Sequence, residues 1–192
     1  MDLPAIFTIG HSTRSLQELV GILRGASVQA LVDVRSVPRS RRHPQFNGPF
    51  LAESLGAEGI GYSHESGLGG FRRPRPDSPN RGWTHAAFVG YADHMATPEF
   101  REALERVQAA GERESVCLMC AEAQWWRCHR RLISDALLIR GWSVLHLGLG
   151  AHPVPHELTP FAVIEGDHEL VYPPAQSELL LAPEQEREPH SA

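Results

Sequence analysis

The chain has 192 residues, of which 42% are hydrophobic and 21% are charged, and its formal net charge is −5. This length and composition predict one globular domain with a buried core, and the negative net charge argues against a general nucleic-acid binder. No apolar run approaches the ~20 residues that a membrane-spanning helix needs, and Met1-Asp2-Leu3-Pro4 lacks the basic and apolar regions of a signal peptide.

The first predicted elements are a strand and a helix. Residues 5–9 are rich in β-forming side chains and end at the turn Gly10-His11-Ser12, which predicts a strand. Ser15 and Glu18 form a capping box, so a helix is expected to begin there and to end near Gly25.

A second predicted strand leads into a long basic loop. The strand covers residues 29–34, with Asp33 at its carboxyl end, and the prolines of residues 36–47 prevent regular structure in the loop. Asn47 is expected to cap a short helix that starts at Pro49.

The middle of the chain contains a third strand and an unusually long loop. The strand covers residues 60–64, and the loop over residues 67–83 has a length typical of functional or disordered loops. Thr84 is expected to cap the next helix, and Thr97-Pro98 restarts a helix that stops at Gly111.

The last part of the chain completes the predicted domain. Residues 115–119 and 143–147 are the fourth and fifth strands, with a helix between them. We expect residues 1–174 to form a single α/β domain, in which residues 151–174 are a linker and a candidate hairpin, and residues 175–192 to be a mobile acidic tail.

Strands that alternate with helices predict a three-layer α/β/α domain with a mostly parallel sheet of about five strands and a small C-terminal hairpin. Ligands bind such sheets at the carboxyl ends of the strands, where His11, Ser12 and Asp33 are expected. Eleven of the 18 Arg residues are predicted on loops, or at a helix start, along the same edge: Arg35, Arg39, Arg41, Arg42, Arg72, Arg73, Arg75, Arg81, Arg127, Arg130 and Arg131.

All basic residues of the chain are Arg, a bias that a GC-rich genome explains as well as function does. Their clustering is more informative, because the planar guanidinium group suits carboxylate or phosphate oxygens and a basic edge favours an anionic ligand. The alternative is that several of these Arg residues pair with acids, namely Glu53, Glu58, Glu65 and Asp77. Aromatic side chains among the loops are candidates for stacking on a base, although packing is their more frequent use: Phe71, Trp83, Trp125 and Trp126.

Two thiols lie in the segment that follows the fourth strand. Cys120 is near the end of the strand, and Cys128 and His129 are near the start of the next helix, where thiol pKa values are lowered. Either thiol is a candidate nucleophile, or else a small buried filler, as free Cys often is. The remaining cysteine, Cys117, is expected in the core.

A zinc site is a further alternative, because Cys117, Cys120, Cys128 and His129 supply four ligands. The expected geometry is poor, since strand residues three apart face opposite ways and adjacent helical residues diverge. We therefore predict no metal and no other cofactor. The odd number of cysteines does not suit a disulfide framework, so we expect a reducing cytoplasm.

The chain resembles the bacterial and archaeal family called domain of unknown function 488, over about residues 6–174. One departure is Gln124-Trp125-Trp126, which is bulkier than expected and could reshape the pocket. The resemblance implies a three-layer α/β domain and supplies no established activity or residue roles. It is carried by these segments: Thr8-Ile9-Gly10-His11-Ser12, Leu31-Val32-Asp33-Val34-Arg35, Pro38-Arg39-Ser40, Asn47, Tyr62, Leu68-Gly69-Gly70, Tyr91-Ala92, Met95, Cys120-Ala121-Glu122, Cys128-His129-Arg130 and Leu158-Thr159-Pro160-Phe161-Ala162.

The leading hypothesis is a cytoplasmic enzyme, a hydrolase or transferase, acting on an anionic, phosphate-bearing or nucleotide-like substrate. The alternatives are a nucleic-acid-binding module without catalysis and a zinc-stabilised structural domain; no membrane partner is expected, and the oligomeric state is not predicted. The predicted catalytic residues are His11, Glu122, Cys120, Cys128 and His129. The predicted substrate-binding residues are Ser12, Asp33, Arg35, Arg39 and Arg130.

Overall fold

The computed structural model describes residues 4–175. The strands are β1 (Ala5–Gly10), β2 (Ala30–Asp33), β3 (Gly61–His64), β4 (Val116–Cys120), β5 (Ser143–His146), β6 (Val154–Pro155), β7 (Val163–Glu165) and β8 (Glu169–Val171). The first six form one sheet in the order β3-β2-β4-β1-β5-β6, in which β6 alone runs antiparallel to its neighbour, and β7 and β8 pair as a separate antiparallel hairpin.

Helices cover both faces of the sheet, which confirms the predicted three-layer α/β/α class. The buried side chains of α1 and α2 pack on one face, and those of α3, α4 and α5 pack on the other. The helices are α1 (Leu16–Gly25), α2 (Gly48–Ala57), α3 (Ala86–Met95), α4 (Pro98–Gly111) and α5 (Arg130–Leu138).

The central strand β4 is buried along its whole length. Because successive strand residues face opposite sides of a sheet, Cys117 packs on the α1–α2 face and Cys120 on the α5 face. Cys117 is therefore a core residue, as predicted, while Cys120 lies at the carboxyl end of β4 on the side where α5 begins.

The helix starts confirm some of the predicted caps and correct others. Ser15 and Glu18 form the expected capping box, and Thr97 caps α4. Asn47 does precede α2, but its side chain accepts a hydrogen bond from the Ser40 backbone N–H (2.7 Å) instead of capping the helix. The prediction for Thr84 is wrong by one residue, because the imidazole of His85 accepts the Ala87 N–H at the start of α3.

The segment after β5 is more ordered than a linker. Val154 and Pro155 pair with β5, and the His156 backbone N–H donates to the carbonyl of Val144 (2.8 Å). This short edge strand brings the sheet to six strands. The hairpin of β7 and β8 confirms the candidate hairpin, while the predicted tail falls almost entirely on residues 176–192, outside the described residues. None of the described helices is both long and apolar enough to span a bilayer.

Candidate functional site

The strand order creates a crevice around the carboxyl end of β4. From β1 and β2 the chain continues through α1 and α2 towards the β3 edge, whereas from β4 it continues through α5 towards the opposite edge. The helices of these two sets of connections lie on opposite faces of the sheet. Ligand sites of open α/β sheets form at such switch points, where neighbouring strand ends are not covered by a helix.

The segment that follows β4 crosses directly over the end of β1. The backbone N–H of His11 donates to the carbonyl of Cys120 (2.8 Å), and that of Ser12 donates to the carbonyl of Ala121 (2.9 Å). A Cβ atom at Gly10 would lie 1.8 Å from the carbonyl oxygen of Glu122, so only glycine permits this crossing. Ser12 adopts a left-handed conformation (φ 50°) at the same turn.

A cavity of about 970 Å³ opens at this edge. Its walls are the turn after β1, the basic loop after β2, the start of α3 and the segment after β4. The structure brings eight predicted site residues to this cavity: His11, Ser12, Arg35, Arg39, Cys120, Glu122, Cys128 and His129. The other two, Asp33 and Arg130, are buried beneath it and do not line it.

The cavity wall is strongly basic. Arg39, Arg42 and Arg127 are exposed on it, and no carboxylate within residues 4–175 forms an ion pair with any of them. Glu122 is the one acidic side chain among the lining residues in the described part of the chain. Three guanidinium groups are therefore free to meet an anion.

Most of the other Arg residues predicted for this edge do not line the cavity. Arg72 pairs with Glu99 (3.3 Å), and Arg75 pairs with Asp77 (3.7 Å), so the alternative of internal ion pairs holds for two of the four Arg residues of this loop. Fewer Arg residues therefore face the cavity than the sequence indicated.

Arg35 is held in place by the buried carboxylate of Asp33. The Nε of Arg35 donates to Asp33 Oδ1 (2.8 Å), and its Nη2 donates to Asp33 Oδ2 and to the carbonyl of Phe46 (2.7 Å). The hydroxyl of Tyr62 also donates to Asp33 Oδ2 (2.9 Å). Asp33 therefore orients Arg35 and has no access to a ligand, and only the Nη1 group of Arg35 is directed towards the cavity side, near His11.

His11 is an almost fully buried imidazole on the cavity wall. Its Nδ1 lies 3.0 Å from the carbonyl of Ser12 and donates to it, so its Nε2 accepts from Arg35 Nη1 (3.4 Å). Burial lowers the pKa of His11 to about 4, and the Arg35 charge adds to this effect. His11 is thus neutral at physiological pH and offers an acceptor rather than a proton.

Two thiols and an imidazole meet on the cavity floor. The Sγ atoms of Cys120 and Cys128 lie 3.0 Å apart, and Nδ1 of His129 lies 4.0 Å from the first and 3.6 Å from the second. The prediction that Cys128 and His129 diverge on a helix is wrong. Cys128 is extended and His129 is the N-cap residue, so both precede the first turn of α5.

The tautomer of His129 follows from its other ring nitrogen. Nε2 lies 2.9 Å from the carbonyl oxygen of Val34 and donates to it, so in the neutral imidazole the lone pair is on Nδ1, which faces the thiols. The ring also packs against Tyr91, with centroids 5.1 Å apart, and the Tyr91 hydroxyl donates to the carbonyl of Leu68 (2.7 Å). The imidazole is fixed from two sides.

The environments of the two thiols push their pKa values apart. Burial raises the pKa of Cys128, but the hydrogen bond with Cys120 and the charge and backbone N–H of Arg130 outweigh it and bring the pKa to about 6. The hydrogen bond with Cys128, followed by burial, raises the pKa of Cys120 to about 12. The proton that the two sulfur atoms share therefore belongs to Cys120.

Arg130 supports the site from below. Its side chain is only 1% exposed; Nη1 donates to the hydroxyl of Thr8 (3.2 Å), and Nη2 donates to the carbonyls of Glu122 and Ala123. These contacts hold the segment that follows β4 against the end of β1. Arg130 therefore positions the cavity wall and does not contact the space inside it.

A buried polar chain that the sequence did not indicate continues from Arg130 into the core. The Thr8 hydroxyl donates to His146 Nδ1 (2.7 Å), His146 Nε2 donates to His156 Nδ1 (3.1 Å), and His156 Nε2 donates to Asp135 (2.9 Å). This order follows from the carboxylate, which can only accept, and it sets the tautomer of each imidazole. Burial, together with His156 and Arg130, lowers the pKa of His146 to about 3.

The four aromatic side chains named from the sequence separate into two groups. Trp83 is buried among Phe88, Phe161 and Tyr172, and Trp125 stacks on His146 with centroids 4.2 Å apart, so both serve packing. Phe71 is 96% exposed with φ 57°, and Trp126 is 42% exposed. These two side chains stand on the cavity rim, where a ligand could meet them.

Three lining residues with ring side chains, His43, His85 and Tyr91, were not among the candidate site residues. His43 lies in the basic loop after β2, His85 directly precedes α3, and Tyr91 was named only in the family resemblance. The signal available for Tyr91 was its place on the inner face of α3, which packs beside the carboxyl end of the sheet. His43 could have been identified from its place in the basic loop at this edge, whereas no local pattern distinguishes His85.

Comparison with known families connects this site to a named family. The model of the family described as "Domain of unknown function DUF488" matches residues 15–137. The chain belongs to this family. Comparison with curated proteins and with solved structures gave no match. Of the cavity-lining segments, those after β2 and β4 lie inside the matched range of the DUF488 family, and the turn Gly10-His11-Ser12 lies just before it.

Proposed function

We propose that this DUF488 protein is a cytoplasmic hydrolase or transferase that binds an anionic, phosphate-bearing or nucleotide-like substrate in the basic cavity. The observation that carries the proposal is the set of free guanidinium groups around a thiol–imidazole cluster. Arg39, Arg42 and Arg127 have no carboxylate partner within the described part of the chain, although the protein as a whole is acidic.

The charge distribution supports an anion rather than a neutral ligand. Some exposed Arg residues elsewhere on the protein pair with acids, as Arg24 does with Glu58 and Arg106 with Glu65, whereas others, such as Arg113, form no ion pair within the described residues and stand apart from the cavity. Unpaired guanidinium groups gathered in one concave site raise the local concentration of anions and form charge-assisted hydrogen bonds with them. Phosphate oxygens match this donor geometry well.

The cavity floor supports a chemical role in addition to binding. Cys120, Cys128 and His129 line the same cavity as the Arg residues, and Cys128 has a pKa lowered to about 6. Thiolate and imidazole groups of this kind act as nucleophiles, proton acceptors or metal ligands. A purely anion-binding surface does not require them. The three free cysteines also fit a reducing compartment such as the cytoplasm.

Calorimetric titration with inorganic phosphate, pyrophosphate and a nucleoside monophosphate tests the binding step. Each of the variants Arg39→Gln, Arg42→Gln and Arg127→Gln should weaken binding by about three- to tenfold, as expected for a partly exposed charged hydrogen bond. Arg113→Gln is the matched control, because Arg113 is exposed just before β4, at the opposite edge of the sheet, and the substitution changes net charge equally. Equal losses in all four variants, or no binding by the wild type, would refute the proposal.

Turnover tests the catalytic step separately. The protein is incubated with phosphate monoesters, phosphodiesters and nucleoside triphosphates, and product release is followed. Cys128→Ser and His129→Gln should abolish turnover while leaving phosphate affinity within about twofold, since neither side chain supplies the charge that holds the anion. Binding without turnover of any of these substrates would reduce the proposal to a binding protein.

The second candidate is a nucleic-acid-binding module, favoured by the two exposed aromatic side chains on the rim. Phe71 and Trp126 stand beside Arg127 and the basic loop after β2, an arrangement that suits stacked bases with their phosphates paired to Arg. Fluorescence anisotropy with a labelled single-stranded oligonucleotide decides between the two. A Kd that rises steeply with salt concentration supports the module, and absence of binding eliminates it.

A further inference from the structure

The cluster on the cavity floor has the composition of a metal site. The ligand atoms of Cys120, Cys128 and His129 all lie within 4.8 Å of one another. Thiolate sulfur and imidazole nitrogen are the ligands that Zn²⁺ prefers, and a set of two cysteines and one histidine is known among catalytic zinc sites.

We propose that Cys120, Cys128 and His129 bind one Zn²⁺ ion on the cavity floor and leave its fourth coordination position open to the cavity. Binding would replace the hydrogen bond between the two sulfur atoms with two Zn–S bonds. The proton of Cys120, and that of Cys128 where it is still present, would pass to solvent.

The spacing of the ligand atoms supports a tetrahedral ion. With Zn–S and Zn–N bonds of about 2.3 Å and 2.0 Å, tetrahedral angles require about 3.5 Å between nitrogen and each sulfur and about 3.8 Å between the sulfurs. The observed nitrogen–sulfur distances are 3.6 and 4.0 Å, close to this requirement. The sulfur atoms, at 3.0 Å, must separate by less than an ångström, which a small rotation of one Cys side chain achieves.

The orientation of His129 is that of a metal ligand with an outer hydrogen bond. Its Nε2–H donates to the carbonyl of Val34 at 2.9 Å, so the Nδ1 lone pair faces the sulfur atoms. Metal-bound histidines almost always donate their other ring N–H to a carboxylate, a backbone carbonyl or water, which fixes the tautomer. Here the backbone at the end of β2 provides this bond.

The three ligands are mounted on fixed elements. Cys120 ends β4, and Cys128 and His129 lead into α5, whose first residue Arg130 is fully buried. Gly70 packs against the imidazole so closely that a Cβ atom there would lie 3.0 Å from Nδ1. Little chain entropy is lost on binding when the ligands are already oriented, so the site is prepared for an ion.

The open fourth position follows from the ligand count. Within residues 4–175 no fourth His, Cys or carboxylate joins the cluster, and Cys117 packs on the opposite face of the sheet. Zinc sites with three protein ligands hold water or substrate in the fourth position. If the proposed function is correct, on which this last step rests, a Zn²⁺ ion in the cavity that Arg39 and Arg127 also line would polarise an oxygen of the bound anion or activate a water.

Metal analysis of the full-length protein tests the site. The protein is purified without chelator and without a polyhistidine tag, and its zinc content is measured by inductively coupled plasma mass spectrometry. About one zinc per chain is expected.

In a second measurement, chelator-treated protein is titrated with Co²⁺, and the sulfur-to-cobalt charge-transfer absorption should saturate at about one equivalent. The Co²⁺ titration uses the wild type, so it does not depend on any variant folding.

Variants identify the ligands. Cys120→Ser, Cys128→Ser and His129→Gln should each lower Zn²⁺ affinity by at least about tenfold, whereas Cys117→Ala, which removes a buried cysteine outside the cluster, should retain it. Absence of both zinc and Co²⁺ absorption, isolation of Cys120 and Cys128 as a disulfide without metal, or full zinc content in all three ligand variants would overturn the proposal. Phosphate affinity of the chelator-treated protein shows independently whether the anion site exists.

Discussion

Gly10 and the carbonyl oxygen of Glu122 approach each other so closely that a Cβ atom at residue 10 would lie 1.8 Å from that oxygen. Because the obstacle is backbone and not a flexible side chain, Gly10→Ala must displace the segment that crosses β1. We expect it to lower the free energy of unfolding by about 3 kcal/mol or more, measured by urea denaturation. It should also weaken anion binding, since Glu122 and Arg127 lie on the displaced segment.

The matched control for this prediction is Gly21→Ala. Gly21 lies within α1, and a Cβ atom there would have no neighbour within 4 Å. Alanine in a helix interior is favoured over glycine by about 0.5–1 kcal/mol, so this variant should be slightly more stable than the wild type. If Gly10→Ala left the free energy of unfolding unchanged, the segment after β4 would be able to move freely, contrary to the structure.

The pair of Asp33 and Arg35 makes a second prediction. Both side chains are buried, and Asp33→Asn removes the charge that compensates the guanidinium group. Breaking a buried pair from one side costs about 3–5 kcal/mol, and we expect a loss of this size in the free energy of unfolding. The control is Asp77→Asn, which breaks the exposed pair with Arg75 and should cost less than about 1 kcal/mol. Similar losses in the two variants would contradict the role assigned to Asp33.

As the pH is lowered, the protein should begin to lose stability at pH values at which its carboxylates are still ionised. The pKa of His146 is lowered from 6.5 to about 3 in the folded state, so below pH 6.5 the unfolded state binds more protons than the folded state. Stability is therefore complete above pH 6.5 and falls as the pH decreases towards 3, at up to about 1.4 kcal/mol per pH unit. His11, with a pKa of about 4, adds a similar contribution between pH 6.5 and 4.

The measurement is urea denaturation at about pH 7, 6 and 5. His146→Gln removes one of the three imidazoles whose pKa is lowered by burial, those of His11, His94 and His146, so its free energy of unfolding should fall less steeply with decreasing pH than that of the wild type. His152→Gln, at an exposed histidine in the same part of the chain, serves as the control and should keep the wild-type slope. Identical slopes in all three proteins would show that the burial of His146 is not linked to protonation.

The aromatic rim predicts selectivity for a nucleotide-like ligand. Phe71→Ala and Trp126→Ala should weaken binding of a nucleoside monophosphate by about 1–3 kcal/mol per stacked base and leave inorganic phosphate binding unchanged. Phe50→Ala is the control, because Phe50 is also exposed but lies on α2, away from the cavity. Equal effects on the two ligands would indicate that the rim shapes the cavity without recognising a base.

The sheet and the gathering of the cavity residues were predictable because both depend on simple rules. Strand periodicity identified the parallel strands, and the carboxyl ends of parallel strands necessarily share one edge of the sheet. His11, Arg39 and Cys128 are far apart in sequence and still line one cavity. Their convergence required no knowledge of side-chain packing.

The direction of individual side chains was not predictable in the same way. Each helical residue turns by about 100°, so one residue of uncertainty in the start of α5 was enough to misplace Cys128 and His129. A tight turn over Trp125–Arg127 delays the helix and leaves both residues before its first turn. Helix caps failed for a related reason, since the side chain of Asn47 has a stronger partner in a loop that folds back on it.

The polar chain through His146 and His156 was missed because its members look ordinary in isolation. His156 lies in a proline-rich stretch that has the composition of a linker, and histidine is intermediate in burial, so the position of His146 in a strand does not predict that it is buried. The burial of these two histidines becomes apparent only in the folded structure, where Asp135 is the final acceptor of their series of hydrogen bonds. Such long-range pairing leaves no trace in local periodicity.

The hydrogen bonds of Asp135 show that the family-matched segment is shorter than the unit that folds. The match ends at residue 137, yet the carboxylate of Asp135 is satisfied by His156, Tyr172 and the backbone of Thr159. The match also begins after β1, a strand in the middle of the sheet. A fragment cut at residues 15 and 137 would lose two inner strands, β1 and β5, and expose the core around a carboxylate without donors, so the cooperative unit extends at least from β1 to Tyr172.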